Sequence, residues 1–190
     1  MNTRKFLSML AIAGLFAYSC SDDDDNPTVV NEEEVITTMT VTLTAGTDVV
    51  TLTSRDLDGP DGPNAPVITV SGPLTANTTY TGEVSLLNET ETPAENVNEE
   101  IEEEADEHQF FYDVASTLNA TTAYTDTEAD YPPNMGTNPV GITFSLVTTD
   151  ASTGSLTVTL RHEPKKPNDG TLADAGGDTD IAQSFDLTIQ

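Results

Sequence analysis

The chain has 190 residues, with 33 acids against six bases, one cysteine and no tryptophan, for a formal net charge of −27. That charge excludes nucleic acid as a partner, and it excludes docking on an anionic membrane through protein charge. One cysteine excludes a disulfide framework, so stability must come from a core or from bound ions, and the length suits a single ordinary domain.

Arg4 and Lys5 make a short basic start, and Phe6 to Ala17 is mostly apolar, the length of a signal-peptide core and too short to span a bilayer. Ala17-Tyr18-Ser19-Cys20 follows and resembles a bacterial lipobox, in which Cys20 is lipidated and becomes the first mature residue. The run Ser21 to Asp25 holds four adjacent aspartates, which repel one another and must stay solvated, as suits a tether. It resembles the acidic export signal of surface lipoproteins in the Bacteroidota, which implies an outer-membrane lipoprotein facing the cell surface; a periplasm-facing lipoprotein with an acidic tether is the alternative. The expected organisation is a leader over 1–19, lipidated cysteine and tether over 20–33, and one domain over 34–190. From Cys20 onward all 33 acids remain against Arg55, Arg161, Lys165 and Lys166, a net of −29. The lipid must therefore do the anchoring.

Within the domain, Glu34 to Thr44 alternates, with Val35, Thr37, Met39, Val41 and Leu43 on one parity, the pattern of a half-buried strand. Ala45 to Asp48 reads as a turn and Val49 to Ser54 as the returning strand. Arg55 to Pro66 is a loop rich in Asp, Gly and Pro. Val67 to Val70 is a short strand, and Thr78 to Leu87 another, with Tyr80, Gly82, Val84 and Leu86 on one face.

The segment Glu89 to Glu107 holds ten acids and no base. Val97, Ile101, Ala105 and His108 form one narrow helical stripe, with Asn96 as the expected cap. Like charges four residues apart make this helix marginal unless packing or cations support it. Then come His108 to Val114, the most aromatic strand, and Asn119 to Thr125. A hairpin over Gly141–Val147 and Ser155–His162 follows, then a long loop from Glu163 to Asp178, and a last strand from Ile181 to Ile189. Eight or nine strands at this spacing, with one short acidic helix, predict an antiparallel β-sandwich, Ig-like or jelly-roll-like; an up-and-down β-barrel is the alternative.

Catalysis has no candidate. There is no spare cysteine, no nucleophile elbow, no phosphate loop and only two histidines, so a non-enzymatic protein is expected. Cations have three candidate places. Asp56, Asp58, Asp61 and Asn64, with glycines between them, resemble a calcium loop, against a plain Pro/Gly turn. Glu104 and His108 stand one helical turn apart and can chelate a transition metal, against a solvated acidic face. His162 ends an apolar strand face; if it lies beside His108, the two imidazoles form a site for zinc or another transition metal, with Asp178 and Asp180 as further ligands. Tyr112, Tyr124 and Tyr131 keep a carbohydrate-binding module open.

The stretches SCSDDDD at 19–25, EEEVITT at 32–38, DLDGPDGPNAPVITVSG at 56–72, NTTYTGEVSLLNET at 77–90, EEADEHQFFY at 103–112, TLRHEP at 159–164 and GGDTDI at 176–181 resemble a family of small acidic flavobacterial lipoproteins. Its members are often labelled type 1 periplasmic binding fold proteins. That label implies a two-lobed α/β fold, whereas this chain is short, strand-rich and without alternating helices. Such lipoproteins are similar to accessory partners of TonB-dependent outer-membrane receptors. The resemblance implies capture of a nutrient, most simply a metal ion or metal complex, for a transporter. A structural or adhesive surface module with a calcium-stiffened loop is the competing expectation.

Overall fold

A computed structural model of the chain describes residues 34–59 and 62–190. The leader, Cys20, the acidic tether and Asp61 lie outside the described residues.

The described residues form ten strands: β1 (Thr38–Ala45), β2 (Asp48–Arg55), β3 (Val67–Val70), β4 (Thr79–Asn88), β5 (Glu95–Asn96), β6 (His108–Val114), β7 (Ala120–Tyr124), β8 (Thr143–Thr148), β9 (Ser152–His162) and β10 (Asp178–Ile189). The larger sheet runs β3-β2-β1-β4-β8-β7, with the two-residue β5 also on β4, and the smaller runs β10-β9-β6. Every strand pair is antiparallel. The two sheets share one apolar core, as a β-sandwich does, and neither closes on itself, so the barrel alternative falls.

Each inward row follows from period two. On β1, Met39, Val41 and Leu43 are fully buried. Leu86, Val84 and Gly82 of β4 lie opposite them on one side, and Leu52 and Val50 of β2 oppose Val41 and Leu43 on the other. From the smaller sheet come the rows Phe110–Leu160–Ile181 and Val114–Leu156–Phe185. Burying one such Leu, Val or Phe side chain stabilises the fold by about 1.5–3 kcal/mol. Gly82 is the exception that proves a contact: a Cβ there would fall inside the Phe144 ring of β8, its cross-strand neighbour. The outward positions of β1 and β2, Thr40, Thr42, Thr51 and Thr53, are β-branched and uncharged, which suits a pleated outer surface.

Helical structure departs from expectation in three ways. The acidic helix α1 is only Asn98–Glu103, although the whole stripe Val97, Ile101, Ala105 and His108 is buried. Glu104 to Glu107 forms turns instead, and His108 already belongs to β6. Like-charge spacing weakens further helical turns, and β6 has to begin there to reach β9. Asn96 does not cap; it sits in β5, and Val97 holds the cap position without a side-chain bond. The neighbouring Asn98 is buried and plugs the gap between β5 and β8 on the edge of β4, accepting from Leu86 N at 2.6 Å and donating to Val84 O at 2.9 Å. Finally, the described residues hold two short helices and a 3-10 turn where the sequence predicts one helix. Helix α2 (Leu172–Ala175) is capped by Thr171, and the turn Glu128–Asp130 by a Thr127–Asp130 capping box. Elements of three or four residues are too short to show a helical period.

The last strand holds one irregularity. The register between β10 and β9 shifts between Thr179 and Ile181, which makes Asp180 an extra, bulged residue.

Candidate metal centre

At one end of the sandwich, β6 begins with His108 and β9 ends with His162. Antiparallel register sets these two residues directly opposite each other. They share the parity of Phe110 and Leu160, so both imidazoles turn inward. The rings stack with centroids 4.5 Å apart and planes 25° apart. The chain enters the domain at the same place, where Glu34 brings its carboxylate to His108, with Oε1 3.0 Å from Nε2. The His108 and Glu34 side chains are 0% and 3% exposed, and His162 is buried beside them.

Hydrogen bonding fixes which nitrogen of His108 is available. Its Nδ1 lies 3.2 Å from the backbone oxygen of Glu104. A carbonyl only accepts, so Nδ1 carries a hydrogen and donates it. Nε2 is then the nitrogen that faces Glu34. In a neutral ring with this tautomer, Nε2 would point a lone pair at a carboxylate. The contact is attractive when a proton or a metal ion lies between Nε2 and the carboxylate. Burial by itself lowers the His108 pKa, but the hydrogen bond and charge of Glu34, the Glu104 carbonyl and the charge of Asp180 carry it above the ordinary value. Burial raises the Glu34 carboxyl, and the hydrogen bond and positive charge of His108 carry it below its ordinary value.

Donor atoms of Glu34, His108 and His162 all lie within 4.8 Å of one another. A tetrahedral zinc ion with bonds of about 2.0–2.1 Å holds its ligands roughly 3.3 Å apart, so small side-chain rotations close this group on an ion. The Nδ1–H bond to a carbonyl is the outer-shell contact that orients a metal-binding histidine. Two further groups adjoin the first: Glu104, Glu107 and His162, and Glu34, Glu100 and Glu104. Glu107 Oε2 is 3.7 Å from His162 Nε2 and is half exposed.

Behind the site runs a buried polar network that holds its backbone. Lys166 Nζ donates to Ala105 O at 2.5 Å and to His108 O at 2.7 Å, and pairs with Glu128 Oε1 at 3.1 Å. Glu128 is held in turn by Asn138 Nδ2 at 3.1 Å. The turn carrying Glu104 and the first residue of β6 are thus tied to the 3-10 turn by one ammonium group.

Of the residues expected from sequence, the structure brings His108 and His162 together and places Glu104 beside them. Asp180 is turned by the bulge toward the hollow that Glu34 also lines, and its charge reaches His108. Asp178 stands opposite His162 in the ladder but is exposed, and among the described residues it joins no donor group. Glu34 was not expected: it lay at the boundary assigned to the tether, in a run of three glutamates with nothing to single it out.

The other expected places look different. In the Asp56–Asn64 loop, Asp58 Oδ2 accepts from Asn64 N at 3.1 Å and from Asn64 Nδ2 at 2.9 Å, so the described part of this loop is closed by its own side chains. Asp56 has a buried Oδ1 with no hydrogen bond among the described residues, and Asp61 lies outside them. The three tyrosines are occupied: Tyr112 stacks on Phe144 and donates to Gly141 O, Tyr124 donates to Phe110 O at 2.8 Å, and Tyr131 donates to Asp126 at 2.8 Å. None of them forms an exposed platform.

Compared with models of known protein families, with curated proteins and with solved structures, the chain matches none.

Proposed function

We propose that this chain is a non-enzymatic lipoprotein, anchored through Cys20 to the outer membrane and facing the cell surface. In this reading it captures a transition-metal ion with Glu34, His108 and His162 and hands it to a TonB-dependent receptor. The observation that carries the metal part is the His108 ring: its Nδ1 donates to a carbonyl, so its Nε2 is left facing a buried carboxylate with the His162 donor close by, an arrangement that a proton or a metal ion between them completes. Two imidazole nitrogens and one carboxylate oxygen suit zinc and similar borderline ions, with a fourth position left for water or for a ligand carried by the metal. The anchor and the hand-over are supported by the SCSDDDD stretch and by the lipoprotein resemblance.

Calorimetric titration of chelator-stripped protein with zinc tests the reading. One ion per chain is expected at the histidines. Removing an outer-shell partner costs about 10–100-fold in affinity, so His108→Ala or His162→Ala, which each remove a ligand, should cost at least about 100-fold. Zinc should also raise the unfolding midpoint of the wild type, since it binds only the folded state. Variants that bind zinc as the wild type does overturn the reading. A midpoint that rises only with millimolar calcium, regardless of the histidines, favours a surface module with a calcium-stiffened loop.

A further inference from the structure

Glu34 belongs to two donor groups at once. Besides the two imidazoles, Glu100 and Glu104 bring carboxylate oxygens to within 4.8 Å of a Glu34 oxygen and of each other. Glu34 Oε1 is engaged by His108, whereas Oε2 is buried and takes no hydrogen bond among the described residues. A buried carboxylate oxygen left without a partner is costly, and native structures rarely keep one unless something binds it.

Local rules fail at the same spot. Glu100 and Glu104 are one helical turn apart, the repulsive like-charge spacing. Glu104 is the C-cap of α1, where the helix dipole disfavours negative charge, and the last turn of α1 contains no base, whereas Glu100 lies in the first turn. Lys166 is the nearby base, but its ammonium is spent on Ala105 O, His108 O and Glu128. Conflicts that gather at one point mark a functional site more often than a folding error.

We propose that Glu34, Glu100 and Glu104 hold a second divalent cation of the oxygen-preferring class, next to the histidine-bound ion, with Glu34 bridging the two through its two oxygens. The inference deepens the histidine-site reading and rests on it for the shared carboxylate. Imidazole nitrogens select the borderline ion at the first position. The all-carboxylate position takes a hard ion such as calcium or manganese, which completes its shell with water.

Manganese is the probe. Full-length protein loaded with zinc and freed of excess is titrated with Mn2+, and free Mn2+ is followed by its electron paramagnetic resonance signal, with zinc content measured in parallel. One tightly bound manganese per chain is expected. Glu100→Gln should weaken it at least tenfold and leave zinc content unchanged. Glu99→Gln, the same charge change on an exposed neighbour, should leave manganese binding intact. Equal weakening by both variants, wild-type manganese binding in Glu100→Gln, or no bound manganese overturns the proposal. Glu100-dependent manganese binding in a protein that retains no zinc supports the carboxylate position and overturns the histidine-site reading instead.

Discussion

Replacing Lys166 with methionine isolates the buried ion pair behind the candidate metal centre. Lys166 and Glu128 side chains are 6% and 3% exposed. The change removes the counter-charge of Glu128 and strips the donor from two backbone carbonyls, Ala105 O and His108 O. Breaking a buried pair from one side costs about 3–5 kcal/mol, because the remaining charge stays buried. That is a large share of a total stability of about 5–15 kcal/mol. The double variant Lys166→Met with Glu128→Gln should cost less, about 2 kcal/mol, since its remaining penalty is the loss of donors to the two carbonyls at about 1 kcal/mol each. Its new amide oxygen can still accept from Asn138, which now bonds the carboxylate. Burial lowers the Lys166 pKa even though Glu128 pulls it up, which agrees with a pair that contributes little net stability while being costly to break. Urea unfolding followed by circular dichroism measures both variants, and the single change should lower the midpoint by about 2 M at a slope of about 2 kcal/mol per molar. A loss under about 1 kcal/mol for Lys166→Met, or a double variant as unstable as the single one, refutes the reasoning.

Three further outcomes are expected. In metal-free protein the Glu34–His108 pair, with ordinary values of 4.5 and 6.5, contributes most between those pH values. Its contribution fades as pH rises through the raised His108 pKa, and again as pH falls through the lowered Glu34 pKa. Urea midpoints across this range should show that dome, and Glu34→Gln should flatten it; an unchanged profile in the variant would count against the pair. Asn98→Ala leaves Leu86 N and Val84 O unpaired inside the sandwich and should cost about 1–3 kcal/mol for each group, read from thermal or urea unfolding. Gly82→Val forces the Phe144 ring out of its place and should cost about 1–3 kcal/mol by overpacking, with altered chemical shifts for that ring; unchanged shifts would mean the contact is absent.

The strands were legible in the sequence because their signal is local. Period-two alternation of β-branched and apolar residues needs no partner to be seen, and the short runs Val67–Val70 and His108–Val114, β-branched and aromatic, located β3 and β6 to the residue. Alternation also identified the inward faces of β1, β4, β8 and β10, and helical spacing identified the stripe Val97–Ile101–Ala105–His108. The long alternating segments and the lack of alternating helices were enough for the sandwich. What escaped was short or non-local: α2 and the two-residue β5 carry no period, α1 is shorter than its stripe because β6 must start at His108, and the hairpin expected over Gly141–Val147 and Ser155–His162 does not form, since β8 pairs with β4 and β7 in the larger sheet and β9 with β6 and β10 in the smaller.

The site divides along the same line. Sequence marked His108 and His162 as the two imidazoles of the chain and Glu104 as a neighbour of one of them. Whether they meet depended on the register of β6 against β9, which joins residues 54 positions apart. Packing sets such a register, and nothing in either strand alone encodes it. Tertiary structure likewise recruited Glu34 from the mouth of the tether, turned Asp180 inward through a bulge, left Asp178 exposed, and paired Lys166 with Glu128. Each of these is decided by how segments far apart in the chain pack together. Local patterning tells a residue which face it takes, and only the folded register tells it whom it faces.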